Sequence, residues 1–586
     1  MQTVAYKRAL AISLVALLVL ATSTSTVSSS AASPPRKILT GWIPYYSMKT
    51  ALPAAVANGD LIKEVMPFWY TLKSESRITD LYTPANPSVP MAVPLATMRD
   101  SGFTIIPTIT DGTSKLVLAQ LLANQATRTQ TVKTITDLVI TNNFDGIDLD
   151  FEGFAFVDGT ATWSTTRPNW VAFVQELSTS LHNQGKLLSI TTPVLFDPAT
   201  GKKGYTVYDW ASIAPMIDRL RIMTYDYSTS SPGPIGPIIW VEQAVQYAVM
   251  VVPASKVFIG VAGYGRDWVT KVVGVCPSNY ATAITPTAKA ATFVMRDAAT
   301  LAASYGAIPA YSETNAEVTF TYQKVYSGLS NTGLATTCTA SRKAWYQDAR
   351  GYAARSQLVS KYRLGGITAW TLGMEDPTAT DAVRQVAQSI APDFVLSTLT
   401  SDQSDVLFGA PISIKGELQL PDKQPIAGLA VRLEMLSQGE TVWREIFQTV
   451  TESDGSLTLP LLLSKSASLR LSSDGSWERL GSQSAELSIT VSRRISLTPP
   501  TSSTAGAPLS ISGVVQPHQG GVVIALEKFS KGAWHPVGQG AITDEFGVFV
   551  ISAIENTRGI IRFRVSMASD ERLQGGQSPI FTVVIH

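Results

Sequence analysis

Asp145-Gly146-Ile147-Asp148-Leu149-Asp150-Phe151-Glu152 sets four acids into one short apolar frame. Read as a β-strand, its alternate side chains share a face. Asp148, Asp150 and Glu152 then point one way and Ile147, Leu149 and Phe151 the other. An inner parallel strand is normally apolar on both faces. Carboxylates crowded on such a face repel one another and lose hydration, which favours a protonated member. A carboxylic acid that keeps its proton near neutral pH is what general-acid catalysis needs. Glu152 closes the stretch, at the strand end where parallel barrels carry their active sites. A cation site would also suit alternating Asp residues. A solvated edge strand would suit the acids but would leave the three apolar residues uncovered. Asp145 is out of register with the others and takes a structural role.

Seven further short apolar runs resemble this one, at 38–43, 65–70, 104–109, 187–194, 220–225, 257–261 and 366–372. Helical spacing lies between most of them, as in Trp170-Val171-Phe173-Val174-Leu177-Leu181. Eight strands alternating with helices predict a (β/α)8 TIM barrel over 36–390; an open doubly wound sheet is the alternative from pattern alone. The stretch between the seventh and eighth runs is far longer than the ~30 residues of a βα unit. It predicts a small α+β insertion before strand 8, at about 269–345. Beyond residue 390 helical spacing stops, and short β runs are punctuated by Ser, Thr, Gly and Pro. Gly409-Ala410-Pro411-Ile412-Ser413-Ile414-Lys415-Gly416 is echoed by Gly506-Ala507-Pro508-Leu509-Ser510-Ile511-Ser512-Gly513. Two all-β sandwich modules are expected, at 395–492 and 493–586, with Trp443, Trp477 and Trp534 in their cores rather than on glycans.

The chain has 586 residues, 16% charged, with net charge +1. That balance excludes a strongly basic nucleic-acid binder and an acidic disordered tail. Two cysteines and four histidines argue against a metal centre. Lys7 and Arg8, an apolar run from Ala9 to Ala21 and the small residues Ser30-Ala31-Ala32 read as a secretory signal peptide over 1–32. The apolar run is shorter than the ~20 residues that span a bilayer. A secreted monomer without a membrane span is expected, free or associated with a cell wall. Cys276 and Cys338 are candidates for a disulfide in an oxidising compartment; two free buried thiols are the alternative.

The acidic stretch, Asp145-x-x-Asp148-x-Asp150-x-Glu152, resembles the signature of glycoside hydrolase family 18, the chitinases and endo-N-acetylglucosaminidases. Met223-Thr224-Tyr225-Asp226, read as part of the sixth strand, resembles the family's Met-x-Tyr-Asp motif. Trp370 resembles the Trp that floors its sugar subsite. Gly41-Trp42-Ile43-Pro44-Tyr45-Tyr46 is similar to the branch of bacterial spore-cortex and cell-wall glucosaminidases. The run Ile106-Pro107-Thr108-Ile109-Thr110-Asp111-Gly112 departs from the Ser-x-Gly-Gly of typical chitinases.

The resemblance implies substrate-assisted, retaining hydrolysis of β-1,4 bonds after N-acetylglucosamine, in peptidoglycan or chitin, with no cofactor. Glu152 would protonate the leaving oxygen, Asp150 would orient the attacking acetamido group, and Asp148 would shift the proton they share. Tyr225 would hold the acetamido carbonyl, and Met223, Asp226 and Trp370 would bind the sugar. Tyr45, Trp69, Tyr264 and Arg266, near strand ends, are further groove candidates, with core packing the alternative. Some relatives lose the acid and become lectins; Glu152 is retained here, which favours the enzyme over a glycan-binding protein. The β modules would dock the enzyme to wall or glycan.

Overall fold

The computed structural model describes residues 33–570 and 573–586. The signal-peptide reading falls on residues 1–32, outside the described residues. Contacts divide the chain into two units, residues 33–394 with 473–482, and 395–472 with 483–586.

The first unit is a closed barrel. Its strands are β1 (Leu39–Pro44), β2 (Ile62–Ser74), β3 (Thr108–Asp111), β4 (Gly146–Asp150), β5 (Leu187–Thr192), β6 (Arg219–Ile222), β7 (Val257–Ala262) and β8 (Gly366–Trp370). Each pairs in parallel with the next, and β8 returns to β1. This is the TIM barrel that the alternation predicts, and closure removes the open-sheet alternative. The outward side chains of β4 are fully buried. Phe151 lies 6.2 Å from Phe173 and 6.5 Å from Trp170 on the helix Trp163–His182.

Two strands differ from the expected runs. The third is broken: Thr104–Ile105 pairs with β2, and pairing to β4 begins only at Thr108, after Pro107. Proline has no N–H to give a ladder. The sixth ends at Ile222, so Met223-Thr224-Tyr225-Asp226 forms the loop beyond it rather than strand.

Between β7 and β8 an antiparallel sheet runs in the order Ala291–Val294, Tyr264–Gly274, Ala335–Tyr346, Glu317–Leu329, Ala310–Ser312, with the helix Ala298–Ser304. The insertion thus begins at Tyr264 rather than at residue 269. Cys276 and Cys338 are bonded within it, 62 residues apart. Closing a loop of that length stabilises by about 4 kcal/mol in the chain-entropy model.

The second unit holds two β modules of matching layout. In each, a three-stranded sheet faces a larger one, and the repeated segments form equivalent central strands, Pro411–Gln419 and Pro508–Gln516. Trp443 and Trp534 are absent from both cores, contrary to expectation. Each instead packs on an arginine, Arg470 at 4.1 Å and Arg564 at 4.5 Å. Those arginines bind Glu434 and Glu527 on the neighbouring strand. Trp477 falls among residues 473–482 and packs with the barrel unit.

Candidate active site

Asp148 anchors the site from below. Its Oδ2 accepts from Thr108 Oγ1 at 2.8 Å and its Oδ1 from Ser189 Oγ at 2.6 Å, while Thr191 Oγ1 lies 3.0 Å from both oxygens. Those hydroxyls come from β3 and β5, the two neighbours of β4. Thr108 Oγ1 in turn accepts from Trp42 Nε1 at 3.0 Å. Deeper in the barrel the fully buried Arg221 donates to Ser189 Oγ at 3.0 Å and to Glu64 Oε2 at 2.7 Å. Arg221 Nε also stands 3.9 Å from Asp148 Oδ1. A lone buried carboxylate would be strongly destabilising; hydroxyl donors and a buried cation offset that cost. This layer carries no sequence signature, because Arg221 lies inside an apolar run and Glu64 just before one, with nothing in the pattern to pair them.

Asp150 and Glu152 form a coupled pair above it. Burial pushes the Asp150 carboxyl up most, and the charges of Glu152 and Asp148 push it further. Burial also raises Glu152, partly offset by a hydrogen bond from Asp150. Both carboxyls are therefore drawn toward their protonated forms, and they titrate as a pair. Asp150 Oδ1 has no hydrogen-bond partner among the described residues. Glu152 sits where β4 turns into the helical turn Gly153–Val157. Tyr208 fixes the backbone beside it, its hydroxyl donating to Phe151 O at 2.8 Å.

The loop after β6 supplies the opposite wall. Asp226 adopts a left-handed φ of 59°, which turns the chain sharply. Its Oδ1 accepts from Tyr264 Oη and from Arg266 Nη2, the latter at 2.7 Å. A Cβ on Gly260 of β7 would stand 2.7 Å from the Tyr225 ring, so glycine there leaves room for that ring. Farther along, Ile235 N and Gly236 N donate to the buried Glu317 of the insertion at 2.6 and 2.8 Å. The insertion thereby holds the loop that carries Tyr225 and Asp226.

These groups converge on a groove of about 950 Å³ at the C-terminal ends of the strands. Asp150, Glu152, Met223, Tyr225, Asp226, Tyr264, Arg266 and Trp370 all line it. Trp370 packs edge-on against Phe68 at 4.9 Å and Trp42 at 5.5 Å. Asp148 lies beneath the groove. Asp145 does not reach it; its Oδ2 accepts from Ile105 N at 2.7 Å and ties β4 to the strand beside it.

Two candidates do not line the groove. Trp69 is fully buried on the other face of β2, 4.4 Å from Tyr82. Its neighbour Phe68 lines the groove instead. Tyr45 follows β1 and packs on Tyr46 at 5.1 Å, outside the lining. Phe156, Tyr205, Tyr227 and Trp240 line the groove and were missed. Tyr205 and Tyr227 lie on loops, Phe156 in the helical turn Gly153–Val157 and Trp240 in the first turn of the helix Ile238–Val251, where no strand period marks the inward side.

The family model for glycosyl hydrolases family 18 matches residues 72–375, more than half of the chain. The chain belongs to that family. It is a glycoside hydrolase. Among similar proteins, Bacillus subtilis YdhD, named a sporulation-specific glycosylase, is 27% identical over 59% of this chain and 77% of its own length. The cortical fragment-lytic enzyme of Bacillus subtilis is 25% identical over 44% of this chain and 53% of its own length. Among solved structures, a chitinase from Chromobacterium violaceum superposes with a TM-score of 0.48 at 23% identity, covering 60% of this chain and 98% of that one.

Proposed function

We propose that this hydrolase is secreted and cleaves β-1,4 bonds after N-acetylglucosamine in peptidoglycan or chitin, using the substrate's own acetamido group as nucleophile. The observation that carries the reading is the Asp150–Glu152 pair with its unpartnered Asp150 Oδ1. An acetamido N–H bound to Asp150 favours its ionised form, and the shared proton then moves to Glu152. Glu152 gives that proton to the leaving glycosidic oxygen. The acetamido oxygen attacks the anomeric carbon, and the ionised Asp150 faces the positive oxazolinium that forms. Water then opens that ring from the vacated side, with Glu152 taking up its proton.

A protein nucleophile is disfavoured. Asp226, the other carboxylate of the groove, is tied by Tyr264 and by Arg266. Tyr225, in the wall, suits a hydrogen bond to the acetamido carbonyl, and Trp370 offers an apolar face to the sugar ring. Glu152 and Phe156 also wall a smaller cavity of about 190 Å³ with Asp111 and Lys115, which suits the leaving sugar. Export is supported by the basic-then-apolar start of the sequence and by the Cys276–Cys338 bond. The half-exposed Trp443 and Trp534 suit glycan contact by the β modules.

Mass spectrometry of products from chitin oligomers and purified peptidoglycan strands, side by side, tests the substrate. Fragments ending in reducing N-acetylglucosamine are expected from at least one of them. Intact substrate in both would refute the reading.

A further inference from the structure

A second cavity, of about 460 Å³, opens at the opposite end of the barrel, where the strands begin. Its wall carries Arg36, Lys37, Lys63, Arg219, Lys256 and Arg363 against only Glu64 and Asp218. That imbalance is local, since the whole chain carries a net +1. Both acids are already engaged. Glu64 binds Arg219 and Arg221 together, and Asp218 accepts from His182 Nε2 at 2.9 Å and from Leu188 N at 2.8 Å. Arg363 pairs with Glu478 at 2.7 Å.

Among the described residues no ion pair joins a carboxylate to the remaining four cations, though the charge of Glu478 acts on Arg36. Arg36 donates to the carbonyls of Ile390 and Trp477, the former at 2.9 Å, and lies over the Trp477 ring at 4.0 Å. Lys256 donates to Ile217 O at 2.6 Å. Lys37 and Lys63 are exposed and make no side-chain hydrogen bond or ion pair among the described residues. Like charges gathered in a concave, partly apolar wall raise the local potential and draw counter-ions. A bound anion would relieve their repulsion.

We propose that this cavity binds an anionic oxygen group, a phosphate or a carboxylate. Lys37 and Lys63 form its outer rim, at the starts of β1 and β2. Because the groove lies at the other end of the strands, such binding leaves it free. The site does not depend on the hydrolytic reading.

The test uses the full chain on beads coated with poly(glycerol phosphate), with polygalacturonate or with uncharged dextran. The wild type is expected to be retained on at least one anionic coat and released by salt. Retention on the first coat alone assigns a phosphate, on the second alone a carboxylate; retention on both assigns charge without further selection. Lys37→Glu/Lys63→Glu should weaken that retention at least ~10-fold, and Lys37→Ala/Lys63→Ala by less. Both should cleave N-acetylglucosamine oligomers at the wild-type rate. Wild-type passage through both anionic coats, or unchanged retention of the double Glu variant, would overturn the proposal.

Discussion

Glu152→Gln is expected to lower kcat on N-acetylglucosamine oligomers by about 10³-fold or more while leaving their Kd within a few-fold of wild type. The amide keeps the shape of the side chain but has no proton to give. Loss of a general acid typically costs 10²–10⁴ in rate. The effect should fall at the high end, because burial raises this carboxyl and so favours the protonated form that a general acid needs. Leaving-group chemistry separates this account from simple misfolding. A nitrophenyl glycoside departs without needing a full proton, so the variant should lose much less on it than on oligomers. Equal losses on both substrates would mean that Glu152 acts in some other way.

Asp150→Asn should lower kcat by about 10²-fold, because the amide cannot ionise as positive charge develops beside it. It should also change the pH dependence of stability. The folded-state Asp150 is raised above the unfolded value of about 3.9. Between those two values the folded chain holds a proton that the unfolded chain has lost. Wild-type stability therefore falls as pH rises through that window. Asparagine has no such penalty. The variant's Tm relative to wild type should thus increase from pH 4 upward, while its activity stays low. A difference that does not vary with pH would show that Asp150 is not raised by folding. Thermal scans across pH, with kcat measured at each point, decide this.

The chemistry is more legible in the sequence than the walls around it. Asp148, Asp150 and Glu152 were legible because a two-residue period inside an apolar strand leaves one explanation for each face. Trp69 was misplaced for the complementary reason. Residues 64–70 are buried on both faces except for Phe68, which is partly exposed to the groove. Pattern alone could not tell Phe68 from Trp69. Tyr205 lies on a loop with no period at all, and Phe156 and Trp240 sit in helical turns beyond the strand ends, where the strand period no longer marks a face. Arg221 and Glu64 escaped because their pairing joins strands 157 residues apart. The tryptophans of the β modules were assigned to cores on residue type, whereas an arginine held by a glutamate gives each an alternative surface partner. The Tyr225–Asp226 loop was recognised by its motif, but its setting past the strand end needed the left-handed turn at Asp226.

The central claim is that a single acid and the substrate's acetamido group share the work of cleavage. Proton NMR of the first sugar released from an N-acetylglucosamine oligomer tests it most directly. The account predicts the β-anomer at early times, drifting to the equilibrium mixture as the product mutarotates. Initial formation of the α-anomer would contradict it, because inversion requires a water poised by a second carboxylate rather than a neighbouring acetamido group.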